Sequence, residues 1–95
     1  MSFEEFQKSL SLAEPGVISD HLKSLWYDAK GDWAKAHDVI SKIEDKNAAR
    51  IHAYLHRKEG DISNADYWYH QAGKKRSDIS LEKEWEGLVK EFLEH

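Results

Sequence analysis

Apolar residues recur along this chain at the spacing of α-helices. Around residues 22–29 they fall at i, i+3, i+4 and i+7, which places them on one face of a helix. The same reading over the whole chain predicts helices over about 3–13, 19–30, 33–43, 47–58, 62–72 and 81–93, and no β-strand. We therefore predict an all-α fold of about six helices in one domain, residues 1–92. Leu93-Glu94-His95 resembles the start of a purification tag and is set aside.

Residues that typically begin and end helices stand between these segments. Ser2 and Glu5 form a capping box, in which each side chain satisfies a backbone N–H of the other residue. Asp45 and Ser80 are expected to cap the fourth and sixth helices. Pro15-Gly16 is expected to end the first helix and turn the chain.

One sequence motif occurs twice in the middle of the chain. Gly31-Asp32 and Gly60-Asp61 lie 29 residues apart, and an alanine follows each aspartate by four residues, as Ala36 and Ala65. Glycine ends a helix readily because it adopts positive φ, and the aspartate caps the next helix. The small alanine lets two helices approach closely. The repeat therefore predicts two helical hairpins whose alanines are buried where the helices cross.

This pattern resembles the tetratricopeptide repeat (TPR) over about residues 18–73. In that family an aromatic residue and small residues follow the Gly-Asp turn, and here the positions read Trp33, Ala36, Ile40 and Ile43, then Ile62, Ala65, Tyr69 and Ala72. The period of 29 is shorter than the usual value of about 34, the closing proline is absent, and there are two copies. The chain also resembles small bacterial proteins that contain DKNAARIHAYLHRKEGD and NADYWYHQAGK, a resemblance that implies no activity.

The resemblance to the TPR family implies a peptide groove on the inner face of the first helix of each hairpin. The groove positions are Ile18, His21, Leu25 and Asp28 in the first copy and Asn47, Arg50, Tyr54 and Arg57 in the second. Arginine offers paired donors to carboxylates, so we expect an acidic peptide or protein as the partner. A solvated face with internal salt bridges is the alternative.

Aromatic and histidine residues supply two further candidates. The run Tyr67-Trp68-Tyr69-His70 cannot face one core entirely, so Tyr67 and His70 are expected to belong to an interaction surface. The alternative is packing between helices with a tyrosine hydroxyl at the rim. His52 and His56 stand at i and i+4, a spacing that lets two imidazoles bind one metal, with a third ligand from His37, His70 or Glu59. The segment lacks the glutamate of the HExxH motif, and structural histidines are the alternative.

Composition and motifs limit the classes of function. A net charge of −4 argues against binding to nucleic acid or acidic membrane surfaces. The chain has no cysteine, which fits a cytoplasmic protein. We find no nucleophile elbow, phosphate loop or zinc-finger spacing. The sequence therefore predicts a non-catalytic protein-interaction module without a cofactor or metal. The alternatives are a self-associating homodimer and a metal-dependent hydrolase that uses His52 and His56.

Overall fold

A computed structural model describes residues 1–94, and these residues form six α-helices, which confirms the predicted all-α fold. The helices are α1 Phe3–Ser9, α2 Asp20–Ala29, α3 Trp33–Ser41, α4 Lys46–Glu59, α5 Ile62–Gln71 and α6 Leu81–Leu93. The interpretation of the chain end as a tag falls partly on His95, which lies outside the described residues. Among the described residues, we find no helix with both the length and the apolar character that a membrane span needs.

Each of these helices begins at a serine or aspartate whose side chain accepts a backbone N–H from the first turn. The capping residues are Ser2, Ser19, Asp32, Asp45, Asp61 and Ser80. At Ser2 the reciprocal bond from Glu5 is also present, so the predicted capping box is confirmed. These bonds satisfy donors that a helix start otherwise leaves unpaired.

The two Gly-Asp turns have the same geometry. Gly31 has φ 86° and Gly60 has φ 89°, in the left-handed region that favours glycine. In both turns the N–H of the aspartate bonds to the carbonyl five residues before it, at 2.9 Å. The helix therefore ends at the glycine, and the aspartate begins the next helix, as the repeat predicted.

The first helix is shorter than predicted, since α1 ends at Ser9 and not near residue 13. After Ser9, the next three backbone N–H groups donate hydrogen bonds to carbonyls three residues earlier, as in the narrower 3₁₀-helix. The Ser9 hydroxyl donates to the Phe6 carbonyl at 2.6 Å and accepts the indole N–H of Trp26 at 3.1 Å. Ala13, at the end of the predicted first helix, is exposed.

The helices pack as two hairpins, α2 with α3 and α4 with α5, and α4 also contacts α2 and α3. Ala36 and Ala65 are fully buried, as the repeat predicted. The last helix, α6, lies against α1, α2 and α4. Its residues Leu88, Val89 and Phe92 join the main core, whose largest fully buried side chains include Trp26, Phe6, Leu25, Ile40, Ile51 and Leu55.

Replacing either buried alanine should overpack a helix crossing. We expect Ala36→Leu and Ala65→Leu each to lower the free energy of unfolding by about 1–3 kcal/mol, because neither site has room for the added atoms. Ala34→Leu is the control, since Ala34 lies on the exposed side of α3. Urea unfolding measures all three variants. A cost at Ala34 equal to that at the buried sites would contradict the crossing.

The same alanine substitution should have opposite effects at two glycines. Gly60→Ala should destabilise by about 1 kcal/mol or more, because its φ of 89° is unfavourable for a residue with a Cβ. Gly87→Ala should stabilise by about 0.5–1 kcal/mol, because Gly87 lies within α6 with open space around its Cβ position. Thermal unfolding compares the variants, and a neutral Gly60→Ala would contradict the capping geometry.

Candidate functional site

The face of α4 that was predicted to be a peptide groove points toward α6. The Arg57 guanidinium lies 2.6 Å from a Glu84 carboxylate oxygen and also donates to the Ile79 carbonyl. Arg50 pairs with Glu91 in the same way. The two arginines therefore already hold carboxylates, and these belong to the chain's own last helix.

The prediction of an open groove is corrected by this arrangement. Glu84 and Glu91 stand seven residues apart, as Arg50 and Arg57 do. Because the spacings match, α6 presents one glutamate to each arginine. Asn47, in the first turn of α4, is half-buried. The equal spacing of opposite charges on α4 and α6 is a signal in the sequence that could have suggested this pairing.

Tyr54, which was also predicted to line the groove, is 2% exposed and forms part of a buried polar network. Its hydroxyl donates to Asp28 at 2.7 Å, and Lys58 donates to the other oxygen of that carboxylate at 2.9 Å. Burial, with the Asp28 charge next to it, raises the pKa of Tyr54 well above its usual range. The hydroxyl therefore stays protonated and serves as a structural donor that ties α4 to α2.

Three histidines meet where α3 packs on α4. His52 and His56, one turn apart on α4, are 5% and 6% exposed, and His37 of α3 is half-buried. The Nε2 atoms of His37 and His52 are 3.2 Å apart. One ring nitrogen from each of the three residues lies within 4.8 Å of the others. The sequence offered His37, His70 or Glu59 as a third ligand, and the structure places His37 next to both His52 and His56.

Two tryptophans hold the rings of this histidine cluster, which comprises His37, His52 and His56. The indole of Trp68 on α5 stacks on His52 with ring centres 4.0 Å apart, and Trp33 stacks on His37 at 5.0 Å. The Trp33 N–H donates to the Leu55 carbonyl at 2.8 Å, which fixes that indole. The sequence did not identify this role for either tryptophan.

The protonation of the cluster is set by its surroundings. Burial, then the neighbouring imidazoles of His37 and His56, lowers the pKa of His52 to about 4. Burial and His56 likewise lower the pKa of His37. Because burial lowers both pKa values, His37 and His52 are neutral at pH 7.

Tyr67 and His70, the other predicted partner-binding residues, lie on the outer side of α5. Both are exposed, Tyr67 by 55%. Among residues 1–94, the backbone of α5 lies close to that of α4 and of no other helix. Lys74 and Lys75 follow α5, are exposed, and form no ion pair with another described residue. We call Tyr67, His70, Lys74 and Lys75 the α5 surface.

No protein-family model, curated protein or solved structure matches this chain. The described residues include two candidate sites, the α5 surface, which faces solvent, and the histidine cluster, whose ring nitrogens lie close together.

The two α4–α6 ion pairs should differ in strength because they differ in burial. Arg57 and Glu84 side chains are 16% and 10% exposed, whereas Arg50 and Glu91 are 22% and 45% exposed. Double-mutant cycles with alanine should give a coupling energy of about 1–3 kcal/mol for Arg57–Glu84 and at most about 1 kcal/mol for Arg50–Glu91. Equal coupling energies for the two pairs in chemical unfolding would show that burial does not govern them.

Proposed function

We propose that this chain is a non-catalytic protein-interaction module of the cytoplasm that binds an acidic segment of a partner protein through the α5 surface. One observation carries the proposal: an exposed aromatic side chain, Tyr67, lies on the same helix that leads into Lys74 and Lys75, which form no ion pair within residues 1–94. Aromatic anchors and unpaired charges are typical of protein-binding surfaces.

The aromatic part of this surface is held in place by the fold. The ring centres of Tyr67 and Trp68 are 5.2 Å apart, and the two rings are nearly perpendicular. Trp68 is held in turn by stacking on His52. The Tyr67 ring is thus exposed to solvent on one side and packs against Trp68 on the other. A supported aromatic side chain loses little conformational entropy when a partner covers it.

The position of α5 also supports the proposal. In stacked helical hairpins, each pair buries one side on the previous pair and offers the other side to the next. Here α5 is the outer helix of the second hairpin, and its backbone has α4 as its one close neighbour among the described helices. Its outer side, which includes the 39% exposed Ile62, is available to a partner.

Local charge favours an acidic partner although the whole chain carries −4. Lys74 and Lys75 follow the C-terminal end of α5, and His70 lies one turn before them. Arg76, by contrast, already pairs with Asp66 at 3.5 Å. The two lysines therefore supply attraction that increasing salt should screen. The arginines of α4 play no part in this proposal because α6 occupies them.

The test starts with affinity capture from the native host, followed by titration of the purified partner. Tyr67→Ser and the double variant Lys74→Glu/Lys75→Glu should each bind roughly tenfold more weakly or worse, through loss of an aromatic anchor or reversal of charge. Lys8→Glu/Lys42→Glu, which makes the same change in net charge on α1 and directly after α3, should bind as the native chain does.

The proposal fails if the partner binds both α5 variants with native affinity, or if the native chain captures nothing beyond the bare matrix. Light scattering distinguishes the remaining alternative. A homodimer of the native chain that Tyr67→Ser converts to a monomer would assign the α5 surface to a second copy of the chain, in place of an acidic partner.

A further inference from the structure

We propose that His37, His52 and His56 bind one divalent transition-metal ion, with the chemistry of Zn²⁺. Neutral imidazoles are ordinary ligands for this ion, and three of them from two helices converge here. The site is separate from the proposed interaction surface, since it uses none of the residues of the α5 surface.

The distances suit metal coordination. Two imidazole nitrogens at about 2.0–2.1 Å from a tetrahedral Zn²⁺ are about 3.3–3.4 Å from each other. The Nε2 atoms of His37 and His52 are 3.2 Å apart, and one ring nitrogen from each of His37, His52 and His56 lies within 4.8 Å of the others. A small movement of the His56 ring therefore completes three ligands around one point.

The hydrogen bonds around His56 match the usual surroundings of a metal-binding histidine. Its Nδ1 lies 2.7 Å from a Glu59 carboxylate oxygen. A carboxylate that accepts the N–H of one ring nitrogen orients the ring and makes the other nitrogen a better ligand. The remaining nitrogen, Nε2, has Asn64 Nδ2 at a long 3.4 Å, a contact weak enough for a metal to replace.

The facing nitrogens of His37 and His52 can share either a hydrogen bond or an ion. A neutral imidazole has one N–H donor and one lone pair. The two Nε2 atoms are 3.2 Å apart, so one ring can donate its N–H to the lone pair of the other, or both lone pairs can bind one ion. Because Trp33 and Trp68 stack on these rings, the rings are held in this convergent arrangement.

One member of the histidine cluster borders an open cleft. The cleft has a volume of about 440 Å³ and is lined by His52 together with Ile43, Ala49 and Trp68. Three protein ligands leave the fourth position of a tetrahedral ion to water. The arrangement thus predicts a bound ion with one exchangeable position, whose affinity depends on all three histidines.

Isothermal titration of the tag-free native chain with Zn²⁺ tests the proposal. We expect one ion per chain, and we expect His37→Gln and His56→Gln each to lose most of the affinity. Glu59→Gln should weaken binding roughly 10–100-fold without removing a ligand. His21→Gln is the matched control and should bind as the native chain does, because His21 lies outside the cluster and bonds to Asp45.

Substitution of Co²⁺ for Zn²⁺ reports the geometry independently, since tetrahedral Co²⁺ has intense visible absorption that should be lost in His37→Gln. Circular dichroism verifies that each variant is folded, and His37 is the safest site to change because it is half-buried. Binding that is absent in the native chain, or that persists unchanged in folded His37→Gln and His56→Gln, would overturn the proposal.

Discussion

The carboxylate of Glu84 joins three helices through two short hydrogen bonds. It accepts from Arg57 of α4 and from the hydroxyl of Tyr69 of α5, each at 2.6 Å, while α6 itself packs on α2. Burial and this carboxylate raise the pKa of Tyr69, so its hydroxyl remains a donor. A charge that is 10% exposed is tolerated only when it is paired and hydrogen-bonded. The position of α6 across the second hairpin depends on this contact.

Features that depend on neighbouring residues were predictable from the sequence. The six helices, the Gly-Asp turns and the capping residues Ser2, Asp45 and Ser80 all follow from the chemistry of a few consecutive positions. The early end of α1 was not predictable in this way. It accompanies a bond between Ser9 and Trp26, which are 17 residues apart, and periodicity carries no information about such a contact.

For the candidate sites too, the sequence predicted what depends on local spacing and did not predict contacts between distant residues. Spacing showed correctly that Arg50, Tyr54 and Arg57 share one face of α4, but the partners of the two arginines lie 41 and 27 residues away. The sequence therefore identified a charged face without showing what covers it. His52 and His56 were likewise placed together by their spacing. The choice of His37 from three candidates required the packing of α3 on α4.

The matched charges of α4 and α6 also fix the register of the two helices. Because Arg57 meets Glu84 and Arg50 meets Glu91, the helices run in opposite directions along this contact. A slip of α6 by one turn would bring Leu88 or Leu81 opposite Arg57 in place of Glu84. A guanidinium pressed against leucine would lose water without gaining a partner. A one-turn slip of α6 in either direction is thus disfavoured by the desolvation of Arg57.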